Sequence, residues 1–352
     1  MKIHLLSGFL GSGKTTAIQK AAQLFLKQGI KTGVITNDQG TKLVDGDFFT
    51  SLDIPGKQVV NGCFCCNYND LDASIKSLIE TDKTEVIFAE SVGSCTDIVA
   101  TVVKPLLQSG RDAQVTVSVF ADARLLQMIL SGNNHSFNET VCYIYLKQLE
   151  EAGIIVINKI DLIDAAALTG IKKRMQEKYG DKILLYQNSL DENDLQQWLH
   201  TIDQYRSAAV LPSLNIDYDI YAAGEASLAW VDGVLEIFSP DNTAMQTAED
   251  LVNKIYQRVT REHYPVGHLK FLLNNTIKIS FTAGREKPAS LQTSPAASAV
   301  LLVNMRVQAD PAILTGLMKD VINQTETKTG CKIIMNSLSA FQPGYPRPSY
   351  RM

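Results

Sequence analysis

The stretch Gly8-Phe9-Leu10-Gly11-Ser12-Gly13-Lys14-Thr15-Thr16 constrains this chain more than any other part of it. It fits G-x-x-x-x-G-K-[ST], a loop whose backbone N–H groups cradle phosphates. The apolar run Ile3 to Leu6 precedes it and reads as a strand. The spacing of Ala, Ile, Leu and Phe from Thr15 to Gln28 predicts a helix after it. A strand-to-helix turn is the context the motif requires, and the helix N-terminus adds partial positive charge. Gly8, Gly11, Ser12, Gly13 and Thr16 belong to the predicted cradle. Lys14 is placed to reach β- and γ-phosphates, and the Thr15 hydroxyl to ligate Mg²⁺.

Further along, strand-like and helix-like stretches alternate. Thr32 to Thr36, Gln58 to Val60, Glu85 to Ala89, Val115 to Ala121, Ile154 to Ile157 and Lys182 to Tyr186 read as strands. Near-continuous apolar strands separated by helices predict a parallel sheet covered on both faces, an α/β P-loop NTPase fold. Ligands of such sheets bind at the carboxyl ends of the strands. This domain is expected over 1–206, followed by a linker over 207–222 with Pro212. Over 223–340 the pattern is a strand from Leu228, a helix from Met245, two strands turning at Asn274-Asn275, another strand, a helix from Pro311 and a last strand. Two β-α-β units in series predict a smaller α+β, ferredoxin-like domain with one extra strand left unplaced. Ala283 to Ala297 reads as a mobile loop. The Pro-rich tail 341–352 reads as extended.

Asn158-Lys159-Ile160-Asp161 follows an apolar strand and fits N-K-x-D. The Asp161 carboxylate can accept two hydrogen bonds from guanine N1–H and N2–H₂, a donor pair that adenine lacks, so GTP is the expected nucleotide. Glu90 ends the predicted strand Glu85 to Ala89, a position from which a carboxylate holds Mg²⁺ or orients an attacking water. Asp38, in Thr36-Asn37-Asp38-Gln39-Gly40, ends the second strand and is a further candidate near the ion. Lys14, Glu90 and Asp38 are the catalytic candidates.

The chain carries six cysteines, and three of them form Cys63-Phe64-Cys65-Cys66. That spacing is not a secreted disulfide framework. Three thiols in C-x-C-C can converge on one soft ion such as Zn²⁺ or Cu⁺. A closed zinc site draws four ligands, usually from two knuckles. No second pair is evident, so the fourth place is open to water, Asp38 or a partner's residue. A thiol redox pair and reduced structural cysteines remain alternatives. The net charge of −4 and the lack of basic runs argue against a nucleic-acid partner. With no leader before the first strand and no apolar run of membrane length, a cytoplasmic location without a membrane partner is expected.

In G-F-L-G-S-G-K-T-T at 8–16, G-C-x-C-C at 62–66, E-x-x-G at 90–93 and N-K-I-D at 158–161, the chain resembles the CobW-like P-loop GTPases. These include zinc-regulated metallochaperones. The resemblance implies an N-terminal GTPase domain and a smaller C-terminal domain. It implies slow GTP hydrolysis coupled to delivery of Zn²⁺ or Co²⁺ to a client metalloprotein or a cobalamin-type pathway, with a homodimer left open. It assigns metal binding to Cys63, Cys65 and Cys66 and the acidic role to Glu90. Many relatives have Glu where this chain has Asp38. Many also carry a His-rich stretch, whereas here His263 and His268 only flank a turn. A nucleotide-state switch or a thiol redox sensor is the alternative function.

Overall fold

Strand β1 (Lys2–Gly8) lies at the centre of a seven-stranded sheet. It pairs in parallel with β4 (Val86–Glu90) on one side and β5 (Gln114–Asp122) on the other. Beyond β4 come β2 (Thr32–Asn37) and β3 (Gly56–Val59), and beyond β5 come β6 (Ile154–Asn158) and β7 (Ile183–Gln187). The order β3-β2-β4-β1-β5-β6-β7 is parallel throughout. The computed structural model describes residues 1–38, 49, 54–132, 137–206, 211–283, 288–291 and 294–352. Gln39 and Gly40 of the expected second-strand loop lie outside them, as do parts of the expected linker and of the 283–297 stretch.

The strands run apolar on both faces because helices cover both. Helix α1 (Lys14–Lys27) buries Ala17, Ile18, Ala21 and Ala22. Then follow α2 (Tyr68–Glu80), a π-helical turn at Val99–Val103 that continues into α3 (Lys104–Gln108), and α4 (Ala123–Leu130). Next come α5 (Glu139–Glu151), α6 (Ala165–Tyr179) and α7 (Glu192–Gln204). Side-chain caps start α4 to α7: Asp122, Asn138, Asp164 and Asp191 each accept from a first-turn N–H. The sequence patterns did not single out α5 and α6.

The chain divides into two compact units. The first comprises Met1–Gln39, Leu52–Gly224 and Tyr345–Met352. Its later part contains most of α8 (Tyr218–Ser227), a helix that begins in the region expected as linker and runs into that expected for the second domain. The tail, expected to be extended, is seated on this unit: Tyr350 meets Tyr68 edge to face, and Arg351 pairs with Asp97 at 2.8 Å. The Met352 N–H donates to the carbonyl of Ala100 in the π-helical turn.

The second unit is built on Glu225–Gly344. Its five strands are β8 (Ala229–Phe238), β9 (Val266–Leu273), β10 (Ile277–Thr282), β11 (Ser298–Val307) and β12 (Lys332–Phe341). The order β10-β9-β11-β8-β12 is antiparallel at every pair. Omitting β10 leaves the ferredoxin-like order, so β10 is the extra strand, added to the edge by a hairpin. Asn274 and Asn275 turn it, both at positive φ (48° and 57°), as a tight hairpin of this hand requires. Helices α9 (Ala244–Arg261) and α10 (Pro311–Thr329) cover one face with an apolar core. The other face carries a buried polar set. Arg306, fully buried, pairs with Glu225 at 3.2 Å and stacks on Trp230, while His268, Asn304 and Asp232 are joined in a hydrogen-bonded row. Among the described residues no helix is long and apolar enough to cross a membrane.

Glu151, at the end of α5, is enclosed in the first unit and accepts from the Thr96 hydroxyl and the Val99 N–H. Burial raises its pKa to about 8. The folded chain therefore holds a proton that the unfolded chain releases near pH 4.5, and stability falls as pH rises from there to about 8. Glu151→Gln is expected to flatten the slope of urea-melt stability between pH 5 and 8 relative to the parent. An unchanged slope would show that other groups set it.

Candidate functional site

Backbone crowding fixes the P-loop. Gly8 has φ +121°, and a Cβ there would meet the Phe120 carbonyl oxygen of β5 at 2.1 Å. Gly13 has φ +94°, and its Cβ would meet the Asn158 amide nitrogen at 2.3 Å. Only glycine fits either place. Lys14 sends its ammonium back along the loop to the carbonyls of Gly8 (2.7 Å) and Phe9 (3.3 Å). Thr15 donates its hydroxyl to Glu90 at 2.9 Å, so the start of α1 and the end of β4 meet side chain to side chain. A hydroxyl beside a carboxylate is a hard-oxygen donor set suited to Mg²⁺.

The N-K-x-D segment braces the same loop. The Asn158 amide donates to the Ser12 carbonyl at 2.8 Å and accepts from Ser189. Lys159, at φ 63°, donates to the Gly11 carbonyl at 2.6 Å and pairs with Asp122 at 2.9 Å. Asp161 stands exposed in a short 3₁₀ turn, Ile160–Leu162, after β6. Thr16, in the first turn of α1, is half-buried.

The three predicted cysteines come together. Their sulfurs lie within 4.8 Å of one another: 2.8 Å from Cys63 to Cys65, 3.5 Å from Cys63 to Cys66 and 3.7 Å from Cys65 to Cys66. The loop is wound tightly, with the N–H groups of Cys66 and Asn67 both on the Cys63 carbonyl. Asn37, at the end of β2, grips it. Its amide donates to the carbonyls of Val59 and Gly62 and accepts from the Phe64 N–H at 2.8 Å. The neighbouring thiols of Cys65, Cys66 and Cys95 hold the Cys63 thiol well below its ordinary value. Contact with Cys63 pushes Cys65 well up and Cys66 to about 11. Because thiolates and not thiols bind metal, a soft cation taken up here would displace protons.

Asp38 lies beside Asn37, with its N–H on the Val59 carbonyl. Among the described residues, the group of His, Cys, Asp and Glu side chains close enough to share an ion is Cys63, Cys65 and Cys66, without Asp38. His263 and His268 do not form such a group either. His268 is buried, 2.8 Å from Asn304, and His263 is exposed after α9. Two features of the cluster lay outside the sequence reading. One is Cys95, whose side chain contacts those of Cys63 and Cys65. The other is the tail: Ser349 donates its N–H to the Cys65 carbonyl and its hydroxyl to that of Cys66, each at 2.8 Å, and the Arg347 N–H reaches the Cys66 sulfur.

A phosphate-type loop and a thiol cluster on one parallel-sheet domain define a P-loop nucleotide-binding protein with a site suited to soft metals. Residues 2–184 match the family model for the CobW/HypB/UreG nucleotide-binding domain, and the chain belongs to that family. The zinc chaperone YeiR of Escherichia coli (strain K12) is 27% identical over 188 residues, 53% of this chain and 54% of that protein. The zinc chaperone CobW of Sinorhizobium sp is 28% identical over 202 residues, 51% of this chain and 56% of that one. The chain thus spans about half the length of these curated relatives. The structure of HypB from Helicobacter pylori in complex with nickel aligns with a TM-score of 0.44 at 16% identity. It covers 61% of this chain and 91% of that one, a likeness too remote to bear on the site.

Deleting residues 347–352 is expected to speed alkylation of Cys66 by a thiol reagent, since the segment lies over that half-buried sulfur. The rate is read by mass spectrometry of the labelled peptide. An unchanged rate would mean that the tail does not screen the cluster.

Proposed function

We propose that this chain is a GTP-binding, slowly GTP-hydrolysing metallochaperone. It takes up a transition metal, zinc or cobalt, at Cys63, Cys65 and Cys66 and passes it to a client protein or a cobalamin-type cofactor pathway. One observation carries the reading: three sulfurs converge on a loop that Asn37 of β2 holds beside the P-loop end of the sheet. Family membership and the names of the zinc chaperone relatives support it.

In this reading the P-loop backbone and Lys14 bind the triphosphate, and Asp161 selects guanine. Thr15 and Glu90 hold Mg²⁺, which neutralises phosphate charge when bound. The metal is cargo. Its release is tied to nucleotide state through Asn37 and the segment after Glu90, which reach the cysteine loop from two strand ends.

Zinc is expected to shift GTP affinity by about 5- to 150-fold, the usual range for coupled sites, and GTP to shift zinc affinity by the same factor. Isothermal titration with and without zinc, on the parent and on Cys65→Ser, measures both. Equal affinities throughout would remove the coupling. Asp161→Asn is expected to weaken GTP binding by roughly 100-fold, through loss of two hydrogen bonds to a charged acceptor. It should favour xanthosine triphosphate, whose N1–H and O2 match an amide. Retained GTP preference in competition binding would exclude Asp161 as the base reader.

A second reading, a thiol redox sensor, draws on the 2.8 Å approach of Cys63 and Cys65. An oxidant-dependent disulfide found by thiol trapping, with no retained metal, would select it.

A further inference from the structure

The chain returns to the first unit at Tyr345, and residues 345–352 lie against it from end to end. Tyr345 donates its hydroxyl to Asp219 of α8 at 3.1 Å. Ser349 donates its N–H to the Cys65 carbonyl and its hydroxyl to the Cys66 carbonyl, each at 2.8 Å. Tyr350 stands edge to face on Tyr68 of α2, with ring centroids 5.1 Å apart. Arg351 gives its Nε–H to Asp97 at 2.8 Å and a further N–H to the Leu214 carbonyl at 2.6 Å. The Met352 N–H donates to the Ala100 carbonyl at 3.0 Å, and the Met352 carbonyl accepts from the Ser213 hydroxyl.

These contacts are of the kind that reads a peptide, not the kind that builds a core. Tyr345, Tyr350 and Met352 keep 51%, 43% and 41% of their surface exposed, so the tail gains little from apolar burial. Pro343, Pro346 and Pro348 fix φ along the approach, and a segment already extended loses little freedom on docking. The surface offers what such a segment needs: backbone carbonyls at Cys65, Cys66, Ala100 and Leu214, a ring at Tyr68 and the buried carboxylate of Asp97. Main-chain bonds give a site of this kind affinity, and side-chain slots give selectivity. Here the slots take, in order, a hydroxyl, an aromatic ring and a guanidinium. Two of the carbonyls belong to the cysteine loop, so whatever fills the groove sits beside Cys66, the half-buried member of the trio.

We propose that this surface is a docking groove for an extended peptide carrying a hydroxyl residue, an aromatic residue and an arginine in succession. The tail fills it in cis as a strap, and a client reaches the cargo metal by putting its own segment of that chemistry in the tail's place. The last step rests on the metal-carrier reading above; the groove itself does not. With the strap in place, exchange at Cys66 is slow. A tethered tail competes at an effective concentration on the order of 1 mM, so a partner displaces it only by engaging the chain elsewhere as well. Loss of metal to small thiols in solution is restrained in the same way.

The test uses the full chain loaded with Zn²⁺ and follows transfer to an excess of chromogenic chelator. Arg351→Ala is expected to speed zinc loss by about tenfold or more, and Tyr350→Ala by about threefold to tenfold. Tyr350→Ala leaves the Asp97 pair intact, so a loss of fold in the first variant does not leave the question open. A labelled synthetic peptide of residues 345–352 should bind the Arg351→Ala chain at least roughly tenfold more tightly than the parent, whose own tail competes. It should also return zinc loss to the parent rate, and the Arg351→Ala peptide should do neither. Zinc loss at the parent rate in both variants would overturn the strap, and failure of the peptide to bind would overturn the groove. Shielding of Cys66 from alkylation that fades on dilution of the parent would put the tail of a second copy in the groove and overturn a strap held in cis. Should the parent retain no zinc, the carrier reading falls, and peptide binding still decides the groove.

Discussion

The parallel pairing of β1 between β4 and β5 is the constraint on which the rest of the first unit depends. Its register sets Leu6 opposite Glu90 and Gly8 opposite Phe120. Parallel strands all leave the sheet at one edge, so P-loop, Glu90, Asn37 and Asn158 arrive there together without further instruction. A slip of one residue would turn every strand side chain to the other face. It would also take Glu90 away from Thr15. The sheet is buried on both faces, and its core resists such a slip more strongly than any single polar contact at the rim.

On that edge the asparagines do the fine positioning. Asn158 uses donor and acceptor to join P-loop, β6 and Ser189. Asn37 does the same for β2, Val59 and the cysteine loop. An amide offers both donor and acceptor capacity at a fixed separation, so one side chain can satisfy backbone groups on two segments. Each of these bonds contributes only about 1 kcal/mol net, but leaving a buried backbone group unpaired costs about 1–3 kcal/mol. The loops are held less by what the bonds add than by the cost of breaking them.

The motifs were legible because their chemistry is local. P-loop, N-K-x-D and C-x-C-C each bring their atoms together within a single turn, and spacing alone reports that. Strand patterns were legible for the same reason, since each apolar run is continuous. Helices α5 and α6 were not. A buried Gln148 interrupts the apolar stripe of α5, and α6 buries only Ile171, Met175 and Tyr179. Cys95 was invisible because its nearness to Cys63 and Cys65 is set by strand order and by Gln148 on another helix. The tail read as extended from its prolines, which says nothing of what it packs against. Its anchorage depends on partners far away in sequence: a backbone carbonyl at Cys65, a ring at Tyr68 and a buried carboxylate at Asp97. The pairing of β10 with β9 was legible as a hairpin, but its place at the sheet edge depends on β11 taking the other side of β9.

Arg351 shows how that anchorage is maintained. Asp97 is nearly inaccessible, sits at φ 65° where a non-glycine residue is strained, and accepts from both Arg351 and Tyr218. A buried carboxylate without cationic partners is expensive, so Asp97 draws the tail in as much as the tail binds it. Thr96, between Asp97 and Cys95, is tied to Glu151. One short segment, 90 to 97, therefore meets the start of α1, the cysteine sulfurs, the end of α5 and the tail. Any signal that displaces its first residue, Glu90, has to strain or release the contacts of the others. The backbone thus runs unbroken from the residue that meets Thr15 to the residue that anchors the tail.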